Sequence, residues 1–210
     1  AIDKLQKQIL KIVENEEPYD VFICYKETDS KGKRTDDSTI AQDIYTELVK
    51  ADYKVFFARV TLRDKAGSDY EPYIYSALSS AKVMLAIGTK EEYYDAVWVK
   101  NEWGRYLSMM ADDKSKHLIP CYKDIDAYDI PDDFKNLQAL NMGDVTFYKD
   151  LMSAIEKFVP KKKEVVKETV VVSADNAQTA PLLERVFMFL EDGDFSSANE
   201  YCEKVLDIDP

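Results

Sequence analysis

Histidine occurs once in this chain, at His117, and cysteine three times, at Cys24, Cys121 and Cys202. No CxxC pair and no Cys/His ligand spacing is present, which argues against structural zinc and against a disulfide framework. Widely separated free thiols suit a reducing cytoplasm. Glycine is sparse, with six residues in 210. Neither GxGxxG nor GxxxxGK[ST] occurs, so no Rossmann or P-loop phosphate turn is expected. A GxSxG nucleophile elbow is missing as well. No apolar run approaches the roughly 18 residues of a membrane span, and no signal peptide is visible. Positive charge is outweighed, with 28 Lys plus Arg against 40 Asp plus Glu and a net charge of −12. An acidic surface repels nucleic-acid backbones and anionic lipid, so neither partner is expected. The basic run Lys161-Lys162-Lys163 reads as a solvated linker.

What is present is enough for a sizeable core, since 46% of the residues are hydrophobic. Ile2, Leu5, Ile9, Ile12 and Val13 recur at helical spacing, giving an amphipathic helix that ends before Pro18. Its role is packing on the next domain or connecting and dimerising. Tyr19–Tyr25, Val55–Phe57 and Val83–Ile87 are short apolar runs suited to buried strands. Leu118–Cys121 reads as a fourth strand and Gln138–Asn141 as a marginal fifth. Between them lie helical stretches: from Asp37 or Ser38, either of which can cap, to Lys50; from Pro72 to Ser80; from Ala96 to Met110; and a last one over Phe147–Phe158. Lys26 to Asp37 reads as a polar, flexible stretch. Strands alternating with helices imply a parallel sheet covered on both faces, with its ligand crevice beyond the carboxyl ends of the strands. The loops after Tyr25 and Phe57, and the helix start after Ile87, converge there.

The divisions are an N-terminal helix at 1–17, an α/β domain at 18–159, a linker at 160–180 and a helical hairpin at 181–210. In the hairpin, Gly193-Asp194-Phe195 separates two helical stretches, and Ala198, Tyr201, Leu206 and Pro210 follow at fixed offsets. That pattern resembles one tetratricopeptide repeat, the alternative being an ordinary helical hairpin. A single repeat cannot bury its own apolar face, and roughly three are needed. The chain opens at Ala1 and stops after Asp209-Pro210, so we expect a fragment with further repeats beyond it and a protein or peptide partner for them.

Trp98 and Glu102 are four residues apart and share one helix face near the crevice. A carboxylate beside an aromatic ring suits a cationic, sugar-bearing substrate. Many helices also carry such a pair with the Trp in the core and the Glu in water. The lone His117, at a strand start, reads as structural or surface.

Tyr19-Asp-Val-Phe-Ile-Cys-Tyr25, Val55-Phe-Phe57 with the loop to Gly67, Ala81–Thr89 and Trp98-Val-Lys-Asn-Glu102 resemble, in order, the first three strands and the glutamate motif of Toll/interleukin-1 receptor (TIR) domains. The bacterial members look most similar. The resemblance implies a flavodoxin-like α/β fold, a five-stranded parallel sheet flanked by helices. It also implies an NAD+ nucleosidase that releases nicotinamide and ADP-ribose or a cyclic ADP-ribose in bacterial immunity or stress signalling. NAD+ would be the substrate, with no cofactor and no metal. In that reading Glu102 holds the nicotinamide-ribose hydroxyls and stabilises an oxocarbenium-like transition state. Trp98 walls the pocket, Tyr25 and Lys26 border the nicotinamide side and the phosphates, Phe57 lines the crevice and Arg59 contacts a phosphate. Tyr25 and Phe57 read equally as core, and Lys26 and Arg59 as solvated. Many TIR domains carry an acidic residue after the second strand, where this chain has Ala58-Arg59. The competing function is a non-enzymatic scaffold that signals through TIR–TIR contacts. Self-association is expected under either reading.

Overall fold

The computed structural model describes residues 9–12, 17–63, 69–161, 180–191 and 195–206. Residues 9–12 are helical; the rest of the expected helix over 1–17, apart from residue 17, lies outside the described residues, as does the loop at 64–68 with Gly67. The chain divides into two compact units, residues 1–161 and 162–210.

In the first unit, apolar runs bounded by polar turns form strands β1 (Val21–Cys24), β2 (Val55–Phe56) and β3 (Val83–Gly88). With β4 (His117–Tyr122) and β5 (Leu140–Asn141) they make a five-stranded parallel sheet in the order β2-β1-β3-β4-β5. The α/β flavodoxin-like architecture is therefore present. Pro120 sits opposite Ala86 in β4, just before β5 begins to pair at Cys121. A residue without an N–H is tolerated where the outer neighbour has not yet started.

The strands alternate with period two, and each set of side chains builds one core layer. Val21, Ile23, Val55, Phe57, Val83 and Leu85 pack on one face with Ala41, Ile44 and Leu48 of α1 (Asp36–Lys50). Phe147, Leu151 and Ile155 of α6 (Phe147–Phe158) join them. Phe22, Cys24, Phe56, Met84 and Ala86 pack on the other face against Ala77 and Leu78 of α3 (Glu71–Ser80) and Val99, Trp103 and Tyr106 of α5 (Val97–Asp112). Two four-residue helices, α2 (Ala58–Thr61) and α4 (Glu91–Tyr94), follow β2 and β3. They are too short to show a helical period in the sequence.

Two expectations are corrected. The cap of α1 is Thr35, whose Oγ1 accepts from the Ser38 N–H at 3.2 Å. Asp37 is drawn inward instead and is fully buried. The stretch from Lys26 to Asp37 is an ordered loop: Thr28 bridges to Arg34, and Asp29 Oδ1 accepts from the Lys31 and Lys33 N–H groups, each at 2.8 Å. Gly32 supplies the positive φ of 75° that the turn requires.

At the carboxyl end of β3, Gly88 lies under the Tyr94 ring, whose hydroxyl donates to the Cys121 carbonyl at 2.8 Å. A Cβ on Gly88 would come within 2.3 Å of that ring. Tyr94 is fully buried and held at both ends, so it has nowhere to move. Gly88→Ala should therefore destabilise the fold by about 3 kcal/mol in urea unfolding; a loss under about 0.5 kcal/mol would mean that the ring is free to shift.

In the second unit, α7 (Ala180–Glu191) and α8 (Phe195–Leu206) pack together, with Val186 and Ala198 buried. Arg185 Nη1 donates to the Tyr201 hydroxyl at 3.2 Å. Gly193, Asp194 and Pro210, which carry much of the repeat-like pattern, lie outside the described residues, as does the linker over 162–179.

Candidate active site

The chain reverses direction across the sheet between β1 and β3, which opens a crevice at the carboxyl end of β1. A cleft of about 400 Å³ lies there. Its walls come from the end of β1 and the loop after it, from α2 and from the first turns of α5. Tyr25, Lys26, Arg59, Trp98 and Glu102 all line it, so five of the six residues expected at the site are brought together.

Glu102 is placed by its helix. Val99 and Trp103 anchor α5 in the core, both about 3% exposed, and the Trp103 indole N–H donates to the Tyr94 carbonyl at 2.9 Å. With those residues turned inward, Glu102 points along the cleft side of the helix. Desolvation pushes its pKa up to about 7, and a hydrogen bond from the Cys24 thiol pulls weakly the other way. Among the described residues no cation pairs with Glu102. Arg105, three residues on, lies over the Tyr75 ring, 4.1 Å from its centroid.

Cys24 was legible only as a free thiol. It is fully buried at the end of β1, and its Sγ also lies 3.6 Å from the Val99 carbonyl. Burial and the neighbouring Glu102 charge hold the thiol well above its ordinary pKa. It is therefore a neutral thiol beside the carboxylate, donating to the Val99 carbonyl, and not a nucleophile.

Trp98 stands one turn before Glu102 and is 57% exposed. Its ring forms the rim of the cleft, free to cover a flat ligand. Phe57 is the exception among the expected residues. It is fully buried on the opposite face of the sheet, between the rings of Tyr25 and Tyr45, each with its centroid 5.2 Å away. Period-two alternation turns it away from the cleft, and its part is to support Tyr25 from behind.

Glu27 was not among the residues expected at the site, and it lines the cleft. The Tyr25 hydroxyl donates to Glu27 Oε2, and Arg59 Nη1 donates to Glu27 Oε1 at 3.4 Å. Burial and the Glu27 carboxylate hold the Tyr25 phenol well above its usual range, so it stays a donor. Arg59 is exposed but paired, across 32 residues of sequence.

Asp37 fixes the floor of this region. Its Oδ1 accepts from the Thr89 N–H at 2.8 Å and the Thr89 hydroxyl at 2.7 Å. The Thr35 hydroxyl donates to the Lys26 carbonyl. Through residues 35–37 the loop ends after β1 and β3 are therefore tied together. Asp37 Oδ2 is buried without a hydrogen-bond partner among the described residues. Desolvation accordingly raises the Asp37 pKa to about 6.

No curated protein matches the chain. Among solved structures, the TIR domain of the Toll-related receptor TRR-2 from Hydra magnipapillata is similar at 18% identity and a TM-score of 0.48, over 66% of this chain and 98% of that one. A family model described as TIR domain matches residues 21–157, which spans the whole sheet, the cleft and all but the last residue of α6, and the chain belongs to the TIR domain family.

Proposed function

We propose that this domain cleaves NAD+ at the nicotinamide–ribose bond. The observation that carries the reading is Glu102, a desolvated carboxyl with a pKa of about 7, set in a cleft whose rim is the exposed ring of Trp98. Nicotinamide is cationic in NAD+ and leaves neutral, so the reaction needs no acid to protonate the leaving group. What it needs is a carboxylate against the positive charge that develops on the ribose, in a site where water does not screen it. Glu102 fits that task and can accept from the ribose hydroxyls. Trp98 would cover the pyridinium or the adenine. Water attacking the ribosyl cation gives ADP-ribose, and adenine attacking it gives a cyclic ADP-ribose. The cellular setting we assign is bacterial immunity or stress signalling in the cytoplasm. No described helix is long and apolar enough to cross a membrane.

Val97 and Trp98 are 73% and 57% exposed, an apolar pair beside the cleft, and they favour a second reading. TIR domains commonly self-associate, and a scaffold would use such a surface for TIR–TIR contacts, with the second unit recruiting a protein or peptide.

The two readings separate on nicotinamide release by the concentrated protein, followed by chromatography beside Glu102→Ala. Release that disappears in the variant, with circular dichroism and assembly unchanged, supports the nucleosidase. No turnover by an assembled wild type supports the scaffold. The pH dependence gives a further check. The working form of Glu102 is the carboxylate, so kcat/KM should rise with pH through about 7. One pH unit below that value, it should stand at about a tenth of its plateau. A profile flat between pH 5 and 8 would exclude Glu102 as the group that must ionise.

A further inference from the structure

The side chains that line the cleft carry two cations, Lys26 and Arg59, and two carboxylates, Glu27 and Glu102. Glu102 lies on α5, on the Trp98 side. Lys26 and Arg59 lie on the opposite wall, after β1 and on α2. A dinucleotide whose ribose faces Glu102 would place its anionic pyrophosphate toward those two cations, because Coulomb repulsion keeps it from Glu102. In this structure, however, Arg59 is already paired with Glu27, which also accepts from the Tyr25 hydroxyl.

From this arrangement the geometry points to Glu27 as an internal stand-in for the substrate pyrophosphate. It neutralises Arg59 and engages Tyr25 while the cleft is empty, and a ligand diphosphate displaces it. The inference rests on the dinucleotide reading above and adds a residue that sets ligand class. Phosphate-bearing ligands must compete with Glu27, whereas a nucleoside without phosphate leaves the Arg59–Glu27 pair intact. The Arg59 and Glu27 side chains are 36% and 43% exposed, so the exchange needs no backbone opening. A pair this exposed is weak, in the range that a doubly charged ligand can replace. It joins the loop after β1 to the helix after β2, so displacement by ligand would also release these two segments of the same wall from each other.

The test is binding of inorganic pyrophosphate to the full chain by calorimetry, comparing wild type, Glu27→Gln and Glu27→Gln/Arg59→Ala. Glutamine keeps an acceptor for Tyr25 and removes the charge. Pyrophosphate should bind Glu27→Gln about fivefold more tightly than wild type, with the gain shrinking as salt rises and vanishing in the double variant. Equal or weaker binding to Glu27→Gln, a gain that survives Arg59→Ala, or no binding to either protein would overturn the inference. No bond is cleaved in this measurement. A latch that fails leaves the glycosidic reading standing, and a protein that never turns over NAD+ leaves the latch result standing.

Discussion

Glu102→Gln should reduce nicotinamide release about a thousandfold and make the protein more stable at pH 8. The two effects share one cause. The folded-state pKa of Glu102 is raised from the ordinary 4.5 to about 7, so the native state holds a proton that the unfolded chain has already released. Between those values stability falls as pH rises. The favourable contribution of Glu102 is complete below 4.5 and lost as pH passes through about 7. A neutral amide does not suffer that loss. We expect the variant to gain about 2 kcal/mol at pH 8, or about 5 °C in Tm, with the difference closing toward pH 5. Thermal unfolding at several pH values measures this beside the rate. A variant that is inactive and also less stable at pH 8 would place Glu102 in a structural role.

Asp37→Ala should be the most damaging substitution outside the apolar core. It strips the acceptor from the Thr89 N–H and hydroxyl, and Asp37 is fully buried. Buried donors left without partners cost about 1 kcal/mol or more each, so a loss of about 2 kcal/mol in urea is expected. Asp37→Asn keeps one oxygen for Thr89 and should stay within about 1 kcal/mol of wild type. It should also lose a pH dependence. The raised pKa of Asp37, about 6, means its contribution to stability is full below 3.8 and lost as pH rises through 6. If Asp37→Ala unfolds with the wild-type midpoint, the tie between the two loops has no energetic weight.

The sheet was legible because β1 and β3 are uninterrupted apolar runs, and a run with no polar residues is hard to place anywhere but a doubly covered sheet. The same property concealed Phe57. In Val55-Phe56-Phe57 nothing alternates, so the sequence does not say which side chain faces which layer; β1 pairing in register with β2 decides it. Glu102 and Trp98 were legible because a helix brings them together four residues apart. Glu27 and Arg59 are 32 residues apart, and Cys24 and Val99 are 75 apart. Such pairs leave no local periodicity to read. Asp37 was misassigned for a related reason. It has the chemistry of a helix cap, and only the approach of Thr89, 52 residues away, draws it into the interior while Thr35 takes its place.

β2 and β5, the outer strands, are two residues long each. An incoming strand would find little backbone to pair with on either margin, which protects the sheet against edge-to-edge aggregation. Copies of this domain can therefore be stacked at high local concentration with little danger of amyloid-like templating.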